Sequence, residues 1–113
     1  LPCVGASPIY LLGKYYLGVK PATPGYSTYT IRPSLGGLDW MEGDVPVPNG
    51  SIHEYCSKER IKVFANEGTG TLRFKSKTQP KCAQGMINKT SNGQYELSIN
   101  KNIHYEIEYK SID

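Results

Sequence analysis

The chain of 113 residues has the length of a single domain. Its 38% hydrophobic and 20% charged content is enough for a core and excludes intrinsic disorder, while 12 glycines, 8 prolines and 9 tyrosines suit short strands and tight turns. A net charge of +3, with acidic residues mixed among the basic ones, leaves no footprint for nucleic acid, and no run reaches the roughly 20 apolar residues that span a bilayer.

The first predicted element is a helix in "SPIYLLGKYYLGVK". Ser7 can cap it, and Pro8 suits the first helical position, where a missing N–H costs nothing. Ile9, Leu12 and Tyr16 share one face, Leu11 and Tyr15 another, and Tyr10 and Leu17 widen the apolar arc. Such a helix needs cover from more than one side. Gly18 would end it, and "KPATPG" then reads as a rigid connector. The apolar start lacks the basic flank of a secretory leader.

From Tyr26 onward the period becomes two. "YSTYTIRP", "GGLDWMEGDVPV" and "GSIHEYC" read as the first strands, followed by "RIKVFA" with Ile61, Val63 and Ala65 inward and "TLRFKS" with Leu72 and Phe74 inward. "AQGMIN" is a weaker strand, and "QYELSI" turns Tyr95, Leu97 and Ile99 inward. In "IHYEIEYK", Ile103, Tyr105, Ile107 and Tyr109 alternate with His104, Glu106, Glu108 and Lys110. The expected fold is mostly β, an antiparallel two-sheet β-sandwich of about eight strands with one short N-terminal helix.

Chemistry is sparse. Glu42 and Asp44 lie two apart on a strand, so their carboxylates share a face about 7 Å apart, within reach of a glycosidase pair but common on any solvated strand. His53 and His104 have no partner at metal-ligand spacing, and no cofactor signature occurs. "GTGTLRF" has glycines at 68 and 70 but neither the lysine nor the helix of a phosphate loop, and reads as a hairpin turn. Cys3, Cys56 and Cys82 read as buried or idle thiols, with one disulfide plus a spare thiol as the alternative, and Asn88 opens the sequon "NKT". Trp40 and the tyrosines suggest a sugar-stacking platform, yet most tyrosines fall on inward faces, where packing is their ordinary role.

The segment "PGYSTYTIRPSLGGLDWMEGDVPVPNGSIHEYCSKERIKVFANEGTGTL" carries a familiar order of short motifs: Pro-Gly-aromatic, "IRP", a Trp, then "VPVPNGSI". It resembles the C-terminal β-sandwich domain of α-L-rhamnosidases and related six-hairpin glycoside hydrolases. "ASPIYLLGKYYLGVKP" is similar to the last helix and exit of that family's catalytic barrel. The resemblance implies a division at 20/21, with 1–20 the end of a barrel and start of a linker, and 21–113 an accessory domain. It implies a parent that hydrolyses terminal α-L-rhamnosides with inversion, its acid and base carried by an (α/α)-barrel; none of the family's catalytic positions matches a residue here. Ile9, Leu12, Tyr16 and Trp40 are the expected interdomain surface toward that barrel. Exposed in an isolated chain, the apolar helix would drive homodimerisation. Carbohydrate, held by exposed aromatics, is the alternative partner.

Overall fold

The computed structural model describes residues 17–112. The body of the expected helix, with Ile9, Leu12, Tyr16 and Cys3, lies outside them. Ten strands follow in order: β1 (Val19–Pro21), β2 (Thr28–Ile31), β3 (Trp40–Val47), β4 (Gly50–Ser57), β5 (Arg60–Ala65), β6 (Thr69–Lys75), β7 (Lys81–Cys82), β8 (Ile87–Ser91), β9 (Gln94–Ile99) and β10 (Tyr105–Glu108). They form two five-stranded sheets, β1-β2-β6-β9-β8 and β3-β4-β5-β10-β7. One core cluster draws on both, with Ile31, Leu72, Leu97 and Ile99 from the first sheet and Ile52, Ile61 and Ile107 from the second. Fully burying each such side chain is worth about 1.5–3 kcal/mol.

The antiparallel hairpin β3–β4 follows from its turn. Pro48 and Asn49 separate the last pair, Val47↔Gly50, and Asn49 takes φ 67. A proline followed by a left-handed Asn is the residue pattern of a type II turn. Pro46 is tolerated within β3 because this strand pairs only with β4 and is a sheet edge.

The expected count of eight strands is corrected to ten. "KPATPG" is not a plain connector: Val19 and Lys20 pair with Ile31 and Thr30, making β1 the edge of the first sheet. Leu17 is already fully buried, with Cδ1 3.2 Å from where a Cβ on Gly43 would stand. The sheet therefore begins on the N-terminal side of the expected 20/21 division. The strand expected in "AQGMIN" is mostly a bend between β7 and β8, which lie in different sheets, and only Ile87 and Asn88 of it belong to a strand. Among the described residues the one helical element is a 3-10 turn, Pro24–Tyr26.

Two further expectations are overturned. The "NEGTG" segment does not close a hairpin, because β5 and β6 belong to different sheets. β6 instead pairs in parallel with β2, the one parallel ladder among the described residues. Gly70 lies inside β6 opposite Tyr29, and a Cβ there would stand 2.2 Å from the Tyr29 ring. The glycine thus makes room for a buried aromatic rather than forming a turn. Ile103 was expected inward but precedes β10 and is 38% exposed. Burial starts with Tyr105 and continues at Ile107 and Tyr109.

Candidate docking face

The outer face of β3-β4-β5 gathers most of the chemically distinctive side chains. Alternation along edge strand β3 puts Met41 and Val47 into the core and leaves Trp40, Glu42 and Asp44 outside. Antiparallel register then sets Tyr55 opposite Glu42 and His53 opposite Asp44. Trp40 is 59% exposed and stacks on Tyr55 at 6.2 Å between ring centroids. Lys62 of β5 lies over the other side of this platform, 5.6 Å from the centre of the Tyr55 ring. Trp40 is thus exposed on this face and held by an aromatic neighbour.

His53 is not the isolated residue that sequence spacing suggests. Its Nδ1 lies 2.8 Å from Asp44 Oδ1 and its Nε2 lies 2.9 Å from Glu42 Oε2. Partial burial works against the imidazolium, but the hydrogen bonds to Asp44 and Glu42, with their charges, outweigh it and raise the His53 pKa above 6.5. When protonated, both ring N–H groups donate, one to each carboxylate. The two carboxylates considered as a glycosidase pair are thus bridged by one imidazole. The signal for this cluster was present in the hairpin register. Counting pairs back from Val47↔Gly50 brings Asp44 opposite His53.

The other singled-out residues are scattered. His104 stacks at 4.1 Å on Phe64, the cross-strand partner of His53 on β5, without joining the imidazole–carboxylate cluster. No group of three or more His, Cys, Asp or Glu that could hold a metal ion occurs among the described residues. Cys56 is buried with Sγ 3.4 Å from Tyr109 Oη, while Cys82 is half-buried with Sγ 3.6 Å from Gln84 Oε1. Asn88 is exposed on β8. Sequence reasoning passed over Glu54, which faces the core from β4, fully buried with neither carboxyl oxygen hydrogen-bonded. Burial pushes its pKa well above the ordinary value. Burial, with a smaller contribution from Tyr105, likewise pushes Tyr29 up to about 12.

Comparison with known proteins places this arrangement. Residues 18–63 match the family model for the bacterial alpha-L-rhamnosidase C-terminal domain, in agreement with the motif order of the sequence. The fold is similar to that of Streptomyces avermitilis alpha-L-rhamnosidase, whose structure was solved in complex with L-rhamnose. The TM-score is 0.75 at 13% identity, covering 88% of this chain and 10% of that one. The likeness to that enzyme is one of fold, and the chain spans about a tenth of its length. No curated protein matches the chain. The family-model match over residues 18–63 and the fold likeness together support a C-terminal domain of α-L-rhamnosidase-like proteins.

Proposed function

We propose that the chain is a noncatalytic β-sandwich accessory domain of an α-L-rhamnosidase-like glycoside hydrolase, bracing an (α/α)-barrel catalytic domain. The observation that carries this reading is the paired match: a C-terminal-domain family model over 18–63, and a fold likeness spanning 10% of a far longer rhamnosidase. In this reading the parent enzyme hydrolyses terminal α-L-rhamnosides with inversion, using carboxylates of its barrel. Trp40, together with Ile9, Leu12 and Tyr16 upstream, forms the apolar surface toward that barrel. The accessory domain begins near Leu17, since β1 and the buried Leu17 belong to the sheet structure.

Two measurements test this. The 113-residue chain, incubated with 4-nitrophenyl α-L-rhamnopyranoside, is expected to release no nitrophenol. Turnover that disappears in Glu42→Ala would overturn the noncatalytic reading. Sedimentation of residues 1–113 against 17–113 is expected to show self-association only in the longer form. Equal monomers of equal stability would remove the interface role. The exposed Trp40–Tyr55 pair also supports a second reading, a carbohydrate-binding platform. Glycan-array binding that is lost in Trp40→Ala would favour it over docking.

A further inference from the structure

The register of the second sheet puts three outward aromatic rings on one line. Trp40 pairs with Ser57 and Tyr55 with Lys62. Tyr55 is therefore one strand over and two residues along from Trp40, and Phe64 stands in the same relation to Tyr55. Such diagonal neighbours lie about 7–8 Å apart, so Trp40, Tyr55 and Phe64 mark a diagonal across β3, β4 and β5. Their chain neighbours Met41, Cys56 and Val63 are buried, which turns all three rings to the outer face. Trp40 is exposed, while Tyr55 and Phe64 are half-buried. His104, itself exposed, extends the far end by its stack on Phe64. The outer face of the first sheet is of another kind. Its outward positions on β2, β6 and β9 include Thr30, Thr71, Arg73, Glu96 and Ser98, and none of them is aromatic.

Polar groups of opposite kinds border the diagonal. On one side stand Glu42 and Asp44, with the His53 ring bridging their carboxylates. On the other stand Lys62, whose amine lies 5.6 Å from the centre of the Tyr55 ring, and Arg60, which pairs with Glu106. Acceptors thus face one long edge of a ligand and donors the other, in near balance of charge. The centre of a protein–protein interface is depleted of charged residues, whereas here they flank the rings throughout. A ligand that suits this face presents apolar surfaces to the rings and hydroxyls to both borders, without net charge. A neutral sugar chain has those properties.

We propose that the diagonal binds an extended, uncharged oligosaccharide, with successive sugar rings against Trp40–Tyr55 and Phe64 and their hydroxyls bonded to Glu42 on one border and Lys62 on the other. This rests on the carbohydrate reading of the Trp40 face and adds to it the second ring position at Phe64 and the neutrality of the chain.

A glycan array carrying neutral, acidic and amino-sugar oligosaccharides, followed by calorimetric titration of the best neutral chain in graded lengths, tests it. The protein is kept dilute enough to be monomeric. A neutral glycan is expected to bind best, its hexasaccharide about tenfold or more tighter than its disaccharide. Raising sodium chloride from about 0.05 to 0.5 M is expected to change that affinity by less than about twofold. Phe64→Leu keeps an apolar side chain but removes the ring. It should bring the hexasaccharide down to about the affinity of the disaccharide with little change in melting temperature. In the unaltered chain, the hexasaccharide should shift NMR signals of the Phe64 ring as well as those of the Trp40 indole. Hexasaccharide binding untouched by Phe64→Leu, or shifts confined to Trp40 and Tyr55, would overturn the second position and leave the carbohydrate reading intact. Tighter binding of a charged glycan, or no gain with length, would also overturn the proposal. An array without neutral hits would remove it and the carbohydrate reading together, leaving the face to protein docking.

Discussion

Glu54 is the least comfortable side chain in the domain. It lies between Ile52 and Cys56 on the inward face of β4, fully buried, and both carboxyl oxygens lack a hydrogen bond. A buried polar group left unpaired costs about 1–3 kcal/mol, and more when charged. Because burial raises the folded-state pKa above 4.5, the folded chain holds the Glu54 proton more tightly than the unfolded chain does. Its contribution to stability is therefore fully present below the unfolded value. It is lost as pH rises through the raised folded value. Melting temperature is expected to fall from pH 5 to pH 8, and the Glu54 part of that fall should vanish in Glu54→Gln. Glu54→Leu, which removes the unpaired oxygens altogether, should stabilise the domain by about 1–3 kcal/mol at pH 8 in urea denaturation. His53 has the same sign with a different cause. Its pKa is raised by Asp44 and Glu42 against partial burial, so its contribution is present below 6.5 and fades as pH rises through the raised value. All three side chains are substantially exposed, so the effect on stability is small, but the titration itself is readable. An NMR titration of the His53 ring should show a midpoint above 6.5 that falls in the Glu42→Gln, Asp44→Asn double variant.

Among the elements, β1 shows how close approach of two backbones selects a residue. Gly18 takes φ 70, and its carbonyl accepts a hydrogen bond from the Arg32 N–H at 3.0 Å. A Cβ on Gly18 would meet the Arg32 carbonyl oxygen at 1.9 Å. Gly25 has a similar φ of 77 but open space around it. Gly25→Ala should therefore cost only the left-handed strain, about 1–2 kcal/mol. Gly18→Ala should cost clearly more, because β1 must separate from the chain after β2. Urea denaturation of the two variants side by side isolates the clash. Equal losses would mean that the β1 contact contributes little. This same element was illegible in the sequence for a physical reason. Three residues ending in Pro21 are too short to display alternation, and Gly18 and Pro21 are the residues that also end helices and start connectors. The longer strands β3, β4, β5, β9 and β10 were legible because each repeats the two-residue period against one core. The sheet switch between β5 and β6 was not. Glycines at 68 and 70 suit a hairpin, and the deciding feature, the Tyr29 ring over Gly70, comes from a strand about 40 residues earlier in the chain. The His53 cluster lay between these extremes, since it follows once the turn at Pro48 and Asn49 fixes the register.

At the scale of the whole molecule, the described residues share one core. Both sheets contribute to one buried cluster, and the radius of gyration of 13.2 Å fits a compact unit of this length. What remains for a partner is on the outside. Trp40 is the single tryptophan of the chain and one of the few large apolar side chains left exposed. Its indole stacks on Tyr55 at the edge of the second sheet, so its fluorescence reports what covers that face rather than the state of the core. In residues 17–113 the emission should be that of a largely solvated indole and independent of protein concentration. In residues 1–113, if Ile9, Leu12 and Tyr16 form the apolar surface together with Trp40, self-association should cover the indole. The emission would then shift to the blue as concentration rises, in step with the sedimentation coefficient. Burial of several such side chains, each worth about 1.5–3 kcal/mol, is enough to drive association at micromolar concentration. Association without any change at Trp40 would separate the two halves of the proposed surface. The upstream residues would then pack on one another, and the Trp40–Tyr55 platform would remain free for the carbohydrate reading.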